Sequence, residues 1–318
     1  MATTIPAAPT APATPGDAAP HRVESGQERR SERLLVWLFL IPTVGGLALF
    51  TLVPIIASFV LAFFEWDIID SPKWVGLNNF GDILADATVR RSFLNTILFV
   101  IVAVALQLSL AMWLATLVQS RLPGWLQSVF RSAFFFPLVL SAASVSLVMA
   151  YLFNADFGVV NGFLNFFGIA DVQWLSTGSG AVVVVILVYV WQSFGFSFLL
   201  FLGGLASIPG EIYEAAELDG AKGWSRFRQI TLPLVSPTVL VATVMAMIAA
   251  LQIFDQPWVL TRGGPGDSTR TAVMMIYQSG FQELRFGRAS AIGIVLTALI
   301  LAVTALQFRL SRRYVFYQ

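Results

Sequence analysis

Six stretches of this sequence contain no aspartate, glutamate, lysine or arginine: 34–64, 92–120, 132–155, 172–210, 229–254 and 289–308. A helix needs about 20 apolar residues to cross roughly 30 Å of hydrocarbon. Each stretch is at least that long. A charge at the centre of such a helix costs about 2.5–3.5 kcal/mol on insertion scales, so uninterrupted runs of this length point to a membrane. Inside lipid the backbone must satisfy its own hydrogen bonds, which a helix does within one segment. The sequence therefore predicts an all-α, polytopic membrane protein with six transmembrane helices, at about 35–63, 93–119, 132–154, 181–205, 233–256 and 289–309. The fourth run is the longest because 173–180 and 207–210 are expected to lie outside the bilayer. Only 12% of the 318 residues are charged, half of the roughly 25% usual in soluble domains.

Residues 1–33 are rich in Ala, Pro and Thr and then in charge. They cannot bury enough apolar surface to offset the cost of ordering, so a disordered tail is expected. No basic start leads directly into an apolar run, so the first stretch reads as a retained span and not as a cleaved signal. The chain has no cysteine, and its one histidine, His21, falls in that tail. Thiol nucleophiles, disulfides and thiolate metal sites are excluded, and no metal site is expected. A net charge of +1 argues against a nucleic-acid partner held by a basic surface. Neither Lys73 nor Lys222 stands in a phosphate-loop context. No cofactor is expected on this chain, and if ATP drives it, ATP-Mg is bound and hydrolysed by another polypeptide.

Lysine and arginine placement sets the expected orientation. The tail, the second and fourth connections and the C-terminus hold twelve of them; the alternate connections hold seven. The richer side is read as cytoplasmic, with both termini there. The segment 78–91 spaces Phe80, Ile83, Leu84 and Ala87 at helical intervals and is expected to lie flat at the outer interface. Trp37, Trp66, Trp74, Trp125 and Trp174 sit where interfacial anchoring explains them. Pro42 and Pro54 allow a kink in the first span. No inverted repeat and no matched pair of glycine-broken helices is evident, which disfavours a secondary transporter.

Between the fourth and fifth runs lies a charged island, 214–233, reading EAAELDGAKGWSRFRQITLP. Pro209 suits a first helical turn, and Glu211 and Glu214 complement the helix dipole there. Ile212, Ala215 and Ala216 are expected to share a shallow face that another backbone can approach. Gly220 can take the left-handed conformation that ends a helix. A second short helix over 225–230 is expected to stop at Leu232-Pro233. Two short helices joined by glycine make a rigid knob spanning 207–232.

The pattern Glu-Ala-Ala, three residues, Gly220, nine residues, Ile230, one residue, Leu232-Pro233 resembles the EAA loop of binding-protein-dependent ABC importers. From about residue 34 onward the chain resembles a permease subunit of the maltose and glycerol-3-phosphate type. LVPIIASFVLAFFEWD (52–67), WVGLNNF (74–80), FFFP (134–137) and VLTRGGPGDSTRT (259–271) are each similar to segments of carbohydrate permeases. The resemblance implies a type I importer permease fold in the cytoplasmic membrane of a prokaryote. It implies a second related permease subunit, two ATPase subunits, an extracytoplasmic solute-binding protein and a carbohydrate substrate. It also implies that Glu214 pairs with a basic residue in an ATPase cleft, that Ala215, Ala216 and Asp219 contact the ATPase, and that Gly220 is the hinge.

Intramembrane polar residues face cavities or other helices. Gln252, Asp255 and Gln256 stand at i, i+3 and i+4, so they are expected on one face near the outer end of the fifth span. They read as a hydrogen-bonding patch for sugar hydroxyls or as interhelical capping. Gln192, Ser193 and Ser197 read as lining the same path or as glue between helices. Asn95 and Gln107 are weaker candidates. Two rivals remain: an ion-driven transporter, which needs an acidic residue at mid-bilayer, and a scaffold with no pathway.

Overall fold

The computed structural model describes residues 26–67 and 69–312. Residues 1–25, most of the tail expected to be disordered, lie outside the described residues. The chain divides into two units, Met1–Ile56 and Ala57–Gln318. In the first, helix α1 (Gly26–Leu47) begins ahead of the apolar run and gives way to a π-helical turn (Ala48–Leu52), after which α2 (Val53–Leu61) starts. The Val53 amide donates to Ala48 O, five residues back. Pro54 follows at once and has no N–H to close a regular turn, so the helix widens just before it.

In the second unit a two-residue antiparallel pair, β1 (Phe64–Glu65) with β2 (Lys73–Trp74), precedes α3 (Asn78–Ala85) and α4 (Ala87–Arg121). The single flat segment expected over 78–91 is thus two helices. Asp86 separates them: its Oδ1 accepts from the Thr88 and Val89 amides at 2.7 and 3.2 Å and caps α4. Arg90 reaches back to the Leu84 and Ala85 carbonyls and closes the end of α3. Next come α5 (Gly124–Val139), α6 (Ala142–Leu152), α7 (Val159–Phe166) and the long α8 (Gly178–Ala206). A loop region with α9 (Gly210–Leu218), α10 (Gly223–Arg226), a π-helical turn (Phe227–Thr231) and α11 (Leu232–Leu234) leads to α12 (Ser236–Leu251). The chain finishes with α13 (Asp255–Thr261), α14 (Ala272–Tyr277), a third π-helical turn (Gln278–Gln282) and α15 (Phe286–Ser311).

Four described helical stretches are long and apolar enough to span a membrane: Val36–Leu61, Ala87–Gln119, Gly178–Ala206 and Phe286–Ser311. The third and fifth expected spans are broken. Gly124–Val139 and Ala142–Leu152 meet at 96°, and Gly223–Leu234 and Ser236–Leu251 meet at 72°. Counting each bent pair as one span gives six. At the first break Leu140 and Ser141 are extended, just after Pro137. At the second, the helix from Gly223 runs through Pro233 by widening into the π-turn, where the Leu232 amide donates to Phe227 O, and bends only at Val235. Leu232-Pro233 therefore does not stop the second short helix. A widened turn has no need of the N–H that proline lacks.

Helix α8 is the axis of the second unit. Val184, Val185 and Val188 pack with Phe99, Val100 and Val104 of α4 and with Ala250 and Leu251 of α12. One level along, Phe194, Phe198 and Phe201 pack with Ala111, Ala115 and Val118. In lipid such contacts gain from close packing rather than from leaving water, and small residues permit it. Gly195 is the sharpest case: a Cβ there would lie 2.0 Å from Phe134 O of α5. Asn161 is buried and holds the segment between α6 and α8, donating to Ala155 O and Val172 O and accepting from the Trp174 indole at 2.8 Å. The polar tip of Trp174 is thus spent inside the protein rather than at an interface.

Candidate functional site

The charged island folds as a knob whose rigidity comes from its hydrogen bonds. Pro209 precedes α9, with Glu211 in the first turn. At the far end Asp219 is the C-cap, Gly220 has φ +79°, its amide donates to Glu217 O at 3.1 Å, and the Ala221 amide donates to Ala216 O at 2.9 Å. This pair of bonds is a Schellman closure, which needs a left-handed residue at the Gly220 position. The chain then turns into α10. The Tyr213 hydroxyl lies 3.3 Å from Thr231 Oγ1, and the Arg226 guanidinium stands 5.7 Å over the Tyr213 ring, so α9 is strapped to the π-turn. Beneath the strap is a cavity of about 540 Å³ lined by Thr116, Gln119, Tyr213, Arg226, Phe227 and Thr231.

Glu214, Ala215 and Asp219 are exposed on this knob, but Ala216 is buried at 6% exposure. The two alanines do not share a face: Ala216 is buried, Ile212 one turn before it is half-buried, and of the two alanines only Ala215 is open to a partner. Sequence reasoning missed Leu218, 90% exposed at the end of α9, and Trp224, 72% exposed on α10 and stacked on Phe227. A large apolar side chain standing alone in a charged island was the available signal.

The expected outer patch is divided. Helix α12 ends at Leu251 and α13 begins at Asp255, so no continuous helix carries Gln252, Asp255 and Gln256. Gln252 and Asp255 are exposed; Gln256 is buried and donates to Gln192 Oε1 at 2.9 Å. Gln192 in turn donates to Leu140 O at 3.1 Å, at the break between α5 and α6. Ser193 is half-buried, and its carbonyl accepts from Gln107, which also donates to Ser197 Oγ at 2.9 Å. Asn95 donates to Asp267 O and Arg270 O and pins the loop after α13 to α4.

Where α4 and α15 begin, Arg288 contacts Asp86 at 2.6 Å. Partial burial pushes the Asp86 carboxyl up, but the Arg288 guanidinium and the Val89 and Thr88 amides outweigh it and hold the group below its ordinary 3.8. Among the described residues no three His, Cys, Asp or Glu side chains converge as a metal site would require.

The family described as binding-protein-dependent transport system inner membrane components matches residues 107–316, and this chain belongs to it. It is 34% identical over 283 residues to the sulfoquinovosyl glycerol transport system permease protein SmoG of Agrobacterium fabrum, covering 88% of this chain and 91% of that one. It is 31% identical over 282 residues to the trehalose/maltose transport system permease protein MalF of Thermococcus litoralis, covering 88% and 95%. The fold also matches a chain of a bacterial ABC transporter involved in the import of alginate, with a TM-score of 0.80, 23% identity and coverage of 90% and 98%.

Proposed function

We propose that this chain is a non-catalytic permease subunit of an ATP-driven, binding-protein-dependent carbohydrate importer. It works with a second related permease subunit, two ATPase subunits that hold ATP-Mg, and an extracytoplasmic solute-binding protein. The sugar-transport names of its relatives support the substrate class. The observation that carries the coupling role is the knob: a helix that leaves Glu214, Ala215 and Asp219 exposed and is locked by Gly220 and the Tyr213–Thr231 strap. When ATP closes the partner subunits, their cleft carries this helix, and the strap transmits the displacement to α12. The direction of the switch is set by the partner's different affinity for the inward- and outward-facing states.

Both termini and the knob face the cytoplasm in this reading. The chain lacks cysteine, so a single Ala215→Cys reports the orientation directly. Labelling only from the cytoplasmic side, blocked by the co-purified ATPase, is the expected result. Labelling from outside, or a purified assembly without an ATPase, overturns the reading.

A further inference from the structure

At the end of α12 away from the knob, about 24 Å along a helix of this length, the chain builds a connected patch of aromatic rings. Phe254 and Trp258 stack with centroids 5.6 Å apart, Trp258 meets Tyr277 edge-on at 5.0 Å, and Tyr277 stacks on Phe281 at 5.5 Å. These rings do not form a closed core: Phe281 is 71% exposed and the other three are half-buried. Two exposed charges edge them. The Arg262 guanidinium lies 4.6 Å over the Trp258 ring, and Arg262 itself has φ +53°. Asp255 lies one helical turn before Trp258. Neither charge makes an ion pair among the described residues.

Two ordinary explanations of this patch, a lipid-facing and a water-facing surface, each account for only half of it. A surface against lipid has use for the rings but not for an unpaired carboxylate and guanidinium beside them. A water-facing surface has use for the charges but not for a row of rings. A sugar ring needs both. One of its faces is lined by C–H groups that lie flat on an aromatic ring, and its rim of hydroxyls takes hydrogen bonds from a guanidinium and gives them to a carboxylate.

We propose that Phe281, Tyr277 and Trp258, edged by Asp255 and Arg262, form a stacking site for a pyranose ring at the outer mouth of the pathway. This rests on the importer reading given above and adds where the carbohydrate is first held. Phe281 supplies the open ring face, and Arg262 and Asp255 orient the hydroxyls so that the sugar leaves the solute-binding protein without returning to bulk water.

The test uses the assembly purified through a tag on the full chain, in lipid nanodiscs, with no soluble binding protein added. Maltose, trehalose and lactose at millimolar concentration are the probes. Saturation transfer by NMR from the protein's aromatic protons to the sugar ring protons is the readout. Transfer to at least one probe is expected in the wild type, about fivefold weaker in Phe281→Leu and Arg262→Gln and restored in Phe281→Tyr. Equal transfer in wild type and Phe281→Leu, or none to any probe, overturns the site. So does loss of a subunit from the Phe281→Leu assembly, which would make the patch a contact between subunits. Cellular uptake of the same sugars separates the two claims: uptake that depends on the chain but ignores Phe281→Leu refutes the stacking site alone. Absence of any chain-dependent sugar uptake refutes the importer reading beneath it.

Discussion

Gln256 donates its amide to Gln192 Oε1 at 2.9 Å, and Gln192 passes its own amide to Leu140 O at 3.1 Å. One side chain on α8 thereby meets the carbonyl freed where α5 breaks from α6 and the first turn of α13 after α12 ends. Interhelical bonds of this type average about 0.6 kcal/mol, with a maximum near 1.7. Gln192→Leu strands the Leu140 carbonyl and the Gln256 amide together, whereas Gln256→Leu leaves the Leu140 bond intact. The first substitution should lower the unfolding midpoint in detergent more than the second. A double-mutant cycle should return a coupling of about 0.5–1.5 kcal/mol. Additive effects would show that the two amides do not act together.

Asp86 performs two jobs that one substitution separates. Its Oδ1 caps α4 and its Oδ2 contacts Arg288. Asparagine is as good a cap as aspartate, so Asp86→Asn removes the ion pair alone, while Asp86→Ala removes both and costs about 1 kcal/mol more. Because the folded-state pKa lies below the ordinary 3.8, the carboxylate stabilises the fold at pH values above that figure. The contribution is lost as pH falls through the depressed value. Thermal unfolding from pH 6 down to pH 3 should show a steeper decline in the wild type than in Asp86→Asn. Parallel curves would exclude the linkage.

That apolar helices fill the charge-free stretches was legible from charge alone, because the absence of charge is a local property that each stretch displays without reference to any other. The bends were not. Pro137 is visible in the sequence, but a 96° turn in lipid is tolerable only if something meets the freed carbonyl. That group is Gln192, 52 residues further on. The same distance effect misplaced Trp174, whose position fits an interfacial anchor until Asn161 is seen accepting from its indole. Gly220 was legible because one residue's φ decides it. The Gln252, Asp255 and Gln256 pattern assumed a helix that the chain interrupts between Leu251 and Asp255, with Thr271 Oγ1 donating to the Ile253 carbonyl in the gap.

Gly220 isolates backbone conformation from packing. Nothing lies within 4 Å of a Cβ placed there, so only its φ of +79° resists substitution. A β-branched residue in the left-handed region costs on the order of 1–2 kcal/mol, and asparagine much less. Gly220→Val should loosen the Schellman closure, speed hydrogen exchange at the Ala221 amide and lower the amount of sugar moved per ATP hydrolysed. Gly220→Asn should stay close to wild type in both. Unaltered coupling in Gly220→Val would remove the hinge role from this residue.

Ala215 and Ala216 are neighbours in sequence with opposite surroundings, and that difference separates docking from folding. Ala216 is buried under the knob, whereas Ala215 is exposed on the face that also presents Glu214 and Leu218. Adding three carbons at a packed site costs about 1–3 kcal/mol through strain, so Ala216→Leu should destabilise the loop and raise its susceptibility to protease before any partner is added. Ala215→Leu should leave the purified chain as stable as wild type, because its side chain enters open space. It should nevertheless weaken ATPase co-purification by tenfold or more, as a bulky group now occupies the place a partner backbone must approach. Glu214→Arg should weaken the same association with only a small change in stability, since Glu211 and not Glu214 stands in the first turn of α9 and the Glu214 carboxylate has no ion-pair partner among the described residues. Full ATPase retention in both Ala215→Leu and Glu214→Arg would mean that the exposed side of α9 is not the docking face.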